Sequence, residues 1–259
     1  MAGEKWMTAI TDIQPNRIMT RGYLIDDLMG SVTFSQAIYL VLKGELPSPA
    51  VGRLLDAIFV SSIDHGASPP SVLTARTVAS TGADLNDAVA AGLLAISRLH
   101  GGAVEEGQRL FLEIARRSDA QGLSEDQAAK AVLEEMKAKG KRASGFGHRI
   151  HTKDPRTAKL FALAGELGLA GRHVRIALAA EKAIGEQVGK PLPINVDGAI
   201  AALLCDLGIP PEIGNAFFFI ARVPGLVAHV HEEKIRMKPM RKVDPENFAY
   251  DGPAERKRP

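Results

Sequence analysis

The stretch "ADLNDAVAAGLLAISRLHGGAVEEGQRLFLEIARRS", residues 83–118, decides the fold class. Its first half is rich in Ala and Leu, which lose little on entering a helix, and it carries no β-branched alternation. The spacing predicts a helix over 83–100 that stops at Gly101-Gly102, where the backbone turns sharply, and a second helix from Ala103. The rest of the chain follows suit. "SEDQAAKAVLEEMKAKGK" opens on Ser124 with Gln127 three residues on, a capping-box pattern. "DPRTAKLFALAGEL" offers Asp154 as N-cap and Pro155 at the first helical position. "PPEIGNAFFFIARV" again starts on proline. Strand signals are weak, and there is no internal repeat, so the sequence reads as an all-α protein.

The bulk properties narrow the function classes. A chain of 259 residues buries a sizeable core without staples. A net charge of +2 sets up no field for nucleic acid. The single cysteine, Cys205, has no intrachain partner, sits in the apolar "AALLCDLGI" and reads as a core residue. "MAGEKWMTAI" lacks the apolar core of a signal peptide, and the longest apolar run is broken by Arg222 and Pro224. A cytoplasmic protein without membrane or nucleic-acid partners is expected. The basic stretch 234–259 is either a solvated tail or an arm that packs on a partner subunit.

Chemistry concentrates in three segments. In "RLHGGA", His100 lies close to a helix start, whose positive end disfavours the imidazolium. A neutral ring there suits a donor that polarises a carbonyl; the alternative is a helix-end histidine that caps backbone groups. In "GFGHRIHTKDPR", residues 145–156, His148 follows a Gly-rich turn with free N–H groups. Lys139, Lys141 and Arg142 precede that turn and suit a phosphate-bearing ligand. His148 and His151 sit three apart, but no nearby carboxylate or Cys completes a metal site. In "PLPINVDGAIAALL", Asp197 has apolar neighbours. It is expected to be desolvated, which raises its pKa towards that of a useful base, or to cap the helix that follows, two roles that can coexist. His65 stands in the turn "IDHGASPPS". Arg222 interrupts an apolar helix and must pair with an anion or snorkel out; with Arg156 it could clamp a small polycarboxylate.

Taken together, these segments resemble the citrate synthase superfamily. "RGYLIDDL…TFSQAIYLVLKGELP", "DHGASPPS", "HGGA", "GFGHR…DPR", "NVDG" and "ARVPGLVAHVHEE" resemble its motifs in order, over about Gly22 to Pro253. Only Ser48 to Ile63 separates "GELP" from "DHG", "DHG" stands where "DHE" is usual, and "NVDG" lacks a following aromatic. These departures resemble the short citryl-CoA lyase branch, which also forms the C-terminal part of ATP-citrate lyase. The resemblance implies a shortened, all-α, multi-helix citrate synthase-like fold. One catalytic unit would span 1–259, with a larger helical part over about 1–100 and 190–259 and a smaller one over about 101–189. It implies His100, His148 and Asp197 as catalytic groups. His65, Arg156 and Arg222 would bind the substrate carboxylates, and Arg241, or else Arg236, would be lent to the partner subunit of a homodimer. It implies a site for coenzyme A, as part of the substrate, at Lys139, Lys141, Arg142, Ser144, Gly145, Phe146, Gly147 and Arg149, with no metal or redox cofactor. The implied activity is cleavage of citryl-CoA. The alternatives are citrate or 2-methylcitrate synthesis and a non-catalytic partner subunit that binds CoA esters.

Overall fold

A computed structural model describes residues 6–147 and 154–258. His148, Arg149 and His151 therefore lie outside the described residues. The chain opens on an antiparallel meander, β1 (Thr11–Gln14), β2 (Arg17–Thr20) and β3 (Tyr23–Leu24). The sequence reading had not anticipated it. Its turns place Asn16, Arg21 and Gly22 at positive φ, a signal carried by "PN" and "RG". Helices follow: α1 (Ile25–Leu28), α2 (Phe34–Lys43), α3 (Pro49–Ser62), α4 (Pro70–Ser80), α5 (Leu85–Leu94), α6 (Ala103–Gln121), α7 (Glu125–Ala138), α8 (Pro155–Glu166), α9 (Arg172–Val188), α10 (Val196–Asp206) and α11 (Gly214–Arg236). Ser124 and Gln127 form the expected capping box on α7, and Asp154 caps α8 ahead of Pro155. The expected proline start of the long apolar helix is a separate 3₁₀ turn, Pro211–Ile213, with α11 beginning at Gly214.

Two expectations need correction. α5 ends at Leu94 rather than running to Gly101-Gly102. Leu94 and Leu99 are 84% and 88% exposed, so neither is buried where a longer helix would carry it. Asn195, not Asp197, caps α10: its side chain accepts from Gly198 N at 3.1 Å. Asp197 is thereby set in the first turn of the helix.

The chain divides into two compact units, Met1–Asp64 with Ile96–Val223 and His65–Ala95 with Pro224–Pro259. In the first, α6, α9 and α10 surround a core that includes Phe111, Ile114, Ile176, Ile200, Leu203 and Phe217, all fully buried. α10 is apolar on every side, as befits a central helix. Where it meets α6, a Cβ on Gly107 would fall 2.9 Å from that of Ala201, so the helices approach at glycine distance. In the second unit α4 and α5 form a helical hairpin. A Cβ on Gly92 there would sit 2.9 Å from the Ser71 carbonyl oxygen. Buried Glu233 on α11 accepts from Arg76 Nε at 2.6 Å and Arg241 Nε at 3.0 Å. The tail is held further by Met240 N to the Ser80 carbonyl, 2.7 Å, and Arg241 N to Ser80 Oγ, 3.1 Å. Among the described residues, Pro211–Arg236 alone has the length and hydropathy to cross a membrane. It carries the fully buried Phe217, Leu226 and Val230 and the buried Arg222 and Glu233 of a core helix.

Candidate active site

The site grows from the N-terminal end of α10. Burial is the main influence on the Asp197 carboxyl and pushes its pKa up; Arg156 and Arg222 pull it partly back. Asp197 Oδ1 is shut off from solvent and has no hydrogen-bond partner among the described residues. Beside it, the Asp154 side chain, 1% exposed, grips Arg156 with both oxygens (Nε to Oδ1 3.0 Å, Nη2 to Oδ2 2.9 Å). Arg156 Nη1 also donates to the Ser61 carbonyl at the end of α3, 3.3 Å. Asp154 Oδ2 accepts from Val196 N at 3.3 Å, which ties α8 to α10. Burial alone would raise the Asp154 pKa, but the bonds from Arg156 and the backbone bring it below the usual carboxylate value.

Arg222 enters from α11. Its Nε donates to the Ser62 carbonyl at 3.0 Å, and its guanidinium lies 4.9 Å from the Phe218 ring centroid. Nη1 is buried without a hydrogen-bond partner among the described residues. Burial lowers the Arg222 pKa, against the pull of Asp64 and Asp197. A buried cation with an open donor is a seat for an anion.

Phe218 also meets His100 edge-on, centroids 6.4 Å apart at 82°. His100 is held in a tight turn by reciprocal bonds with Ser97, each 2.8 Å, two residues before the Gly102 cap of α6. Gly101 has φ +81°, and a Cβ there would lie 2.6 Å from the Phe218 ring. Only glycine allows this turn to press on that ring.

The Gly-rich turn packs directly on α10. Asn195 N donates to the Gly145 carbonyl at 3.0 Å, and Gly147 N to the Pro193 carbonyl at 2.7 Å. Beyond it opens a groove of about 860 Å³. Lys139, Lys141, Arg142 and Ser144, all expected at a coenzyme A site, line it, as do Arg98 and Arg109, which the sequence reading missed. Ser144 Oγ donates to Glu106.

The first unit thus brings together Asp197, Arg156, Arg222 and His100. His65 and Arg241 belong to the second unit. Arg241 is paired with Glu233 of its own chain, and Arg236 with Glu232. The reading also passed over Asn195 as the α10 cap and Phe218. Phe218 stands four residues before Arg222, a spacing that puts both on one helix face. Among the described residues, no three His, Cys, Asp or Glu side chains gather in a way that could hold a metal ion.

Fold and site together define a helical protein built around a desolvated carboxyl and two guanidiniums, beside a basic groove. The chain belongs to the citrate synthase family: the family's "Citrate synthase, C-terminal domain" model matches residues 47–242. A citrate synthase from Haloferax volcanii is 32% identical over 198 residues, 74% of this chain and 49% of that protein. The chain spans about half the length of the curated relatives it matches. The solved citryl-CoA lyase from Hydrogenobacter thermophilus is 42% identical, superposes with a TM-score of 0.90, and covers 99% of this chain and 98% of that one. An ATP citrate lyase from Methanosaeta concilii, solved with (3S)-citryl-CoA, shares the fold (TM-score 0.82, 23% identity, 98% of this chain, 43% of that one).

Proposed function

We propose that this protein is a citryl-CoA lyase, cleaving citryl-CoA to acetyl-CoA and oxaloacetate. The observation that carries the reading is Asp197: burial favours its protonated form, and it lies within the electrostatic reach of two guanidiniums suited to carboxylates. Carbon–carbon cleavage leaves an enol of the thioester, whose terminal carbon needs a proton. A carboxyl kept protonated by its surroundings supplies it. Arg156 and Arg222, with His65, hold the substrate carboxylates. His148 takes the proton from the tertiary hydroxyl, the bond to the thioester α-carbon breaks, and oxaloacetate forms. His100 donates to the thioester oxygen and stabilises the enol. A fixed donor of this kind is worth about 3 kcal/mol. Lys139, Lys141, Arg142 and Arg149 meet the coenzyme A phosphates, with the backbone of Ser144–Gly147 close by.

Near full-length likeness to a citryl-CoA lyase supports this direction. The same groups run backwards would condense an acyl-CoA with oxaloacetate, and the citrate synthase relatives favour that second reading. The proposal includes a cytoplasmic homodimer with Arg241 near the partner's site. It also includes a larger part over about 1–100 and 190–259 and a smaller one over about 101–189. A mass-spectrometric time course with citryl-CoA, beside Asp197→Asn, tests it. Acetyl-CoA and oxaloacetate, lost in the variant, are expected. Citrate plus free CoA would make the protein a synthase, and unchanged citryl-CoA would point to a site that needs a partner chain.

A further inference from the structure

Asn195 sits at the junction of the two segments that carry the acid–base groups. Its Oδ1 accepts from Gly198 N at 3.1 Å and so fixes the first turn of α10, the turn that bears Asp197. Its Nδ2 donates to the Gly147 carbonyl at 2.9 Å, on the residue directly before His148 in the chain. Its backbone N–H donates to the Gly145 carbonyl at 3.0 Å. One residue therefore spends three hydrogen bonds on holding a helix start against a turn. The two backbones are already in contact: a Cβ on Gly198 would fall 2.3 Å from the Gly145 oxygen, and one on Gly145 would fall 2.7 Å from Gly198 Cα. Gly145 and Gly147 both have positive φ, so the turn has a shape that few other residues adopt. An ordinary helix cap needs only the acceptor; the Nδ2 bond does nothing for α10.

We propose that Asn195 is a positioning residue, whose carboxamide holds the Gly145–Gly147 turn against the first turn of α10, which bears Asp197. The inference rests on the acid–base roles proposed above. It adds that the turn and the helix start bearing Asp197 are held together by a common residue rather than each by its own element.

Asn195→Ser is the test, because serine caps a helix about as well as asparagine yet is too short to reach the Gly147 carbonyl. The thermal midpoint should barely move. The kcat for citryl-CoA cleavage should fall about 10²-fold, as expected for reacting groups displaced by about 1 Å, with KM nearly unchanged. Hydrogen exchange over residues 144–147 should quicken while exchange in α7 stays as it was. That exchange readout needs no substrate: a wild-type protein inert towards citryl-CoA would sink the functional reading while leaving the link between Asn195 and the turn testable. Asn195→Gly, a second variant with no side chain to reach across, should behave like Asn195→Ser. Wild-type kcat or unchanged exchange in Asn195→Ser would overturn the proposal. So would loss of the fold in both variants, which would make Asn195 a scaffold residue.

Discussion

Asp197→Asn should stabilise the fold while removing its activity. Burial holds the folded-state pKa of Asp197 above its unfolded value, which lies near the ordinary aspartate value of about 3.9. The sign follows from linkage. Below both values the group is protonated in either state and costs nothing. As pH rises from the unfolded value through the folded one, folding must retain a proton that the unfolded chain releases, and stability falls. Above the folded value the full penalty is present. A buried polar atom without a partner costs about 1–3 kcal/mol, and Asp197 Oδ1 is such an atom. The asparagine amide still leaves one atom unpartnered, so the gain lies at the lower end, about 1 kcal/mol. For a chain of this size that is about 2–4 °C in the unfolding midpoint. The assay is a pair of melts of wild type and variant, at neutral pH and at about pH 4, near the unfolded-state value, where folded and unfolded chains differ little in the proton they hold on Asp197. The variant should melt higher at neutral pH, and the gap should close in acid. A variant that melts lower by the same margin at both would refute the argument. It would mean that Arg156 and Arg222 more than compensate the buried charge.

Gly198→Ala should cost about 1–3 kcal/mol, since its Cβ would meet the Gly145 backbone oxygen, which cannot rotate away. An unchanged urea midpoint would show that the two backbones are not in contact. Asp206 caps α9 from the end of α10, accepting from Gly171 N and His173 N at 2.8 Å each and pairing with His173 Nδ1 at 2.9 Å. Burial opposes its ionisation, but the bonds from His173 and Gly171 hold its pKa below the usual value. Its contribution is therefore present above the unfolded pKa and lost as pH falls through the folded one. Asp206→Asn should cost about 1–2 kcal/mol at neutral pH and little in strong acid, read by chemical denaturation across pH. Replacing Lys139 and Arg142 together by alanine should raise KM for citryl-CoA about tenfold at low salt, with kcat nearly unchanged and a smaller effect at high salt. A kcat loss with unchanged KM would place the CoA phosphates elsewhere.

Local rules made much of this protein legible. Ser124 with Gln127, and Asp154 with Pro155, announce helix starts because capping is settled by four or five consecutive residues. Asp197 and Arg222 could be singled out because a charge inside an apolar run must be desolvated wherever the run packs. What escaped depends on long-range contact. The end of α5 at Leu94 follows from what Leu94 and Leu99 fail to bury, which periodicity cannot show. Asn195 looked like a bystander to Asp197 because both Asn and Asp can cap. Asn195 is the one that accepts from Gly198 N, and its Nδ2 meets the Gly147 carbonyl, 48 residues away in the chain. Arg98 and Arg109 were missed at the groove because they reach it from before α6 and from α6 itself, not from the basic run at 139–142. The meander at Thr11–Leu24 was hidden by brevity: its strands have four, four and two residues, too few to display an alternation.

The centre of the site breaks the usual pairing rule in a consistent way. Arg156 has a carboxylate partner in Asp154, joined by both oxygens. Arg222, 2% exposed, donates to a backbone carbonyl and lies against an aromatic face; Asp64 and Asp197 act on it through their charge, and among the described residues Asp197 makes no hydrogen bond to it. A direct bond between Arg222 and Asp197 would satisfy both and lower the pKa of the carboxyl, which would then be a poor proton donor and a weak base. Keeping them apart leaves Arg222 Nη1 open to an incoming carboxylate and leaves Asp197 with a raised pKa. Under the proposed function, a bound polycarboxylate would meet the open Nη1 of Arg222 and draw on the same guanidiniums that otherwise favour ionised Asp197. Substrate binding and proton retention on Asp197 would then act in the same direction.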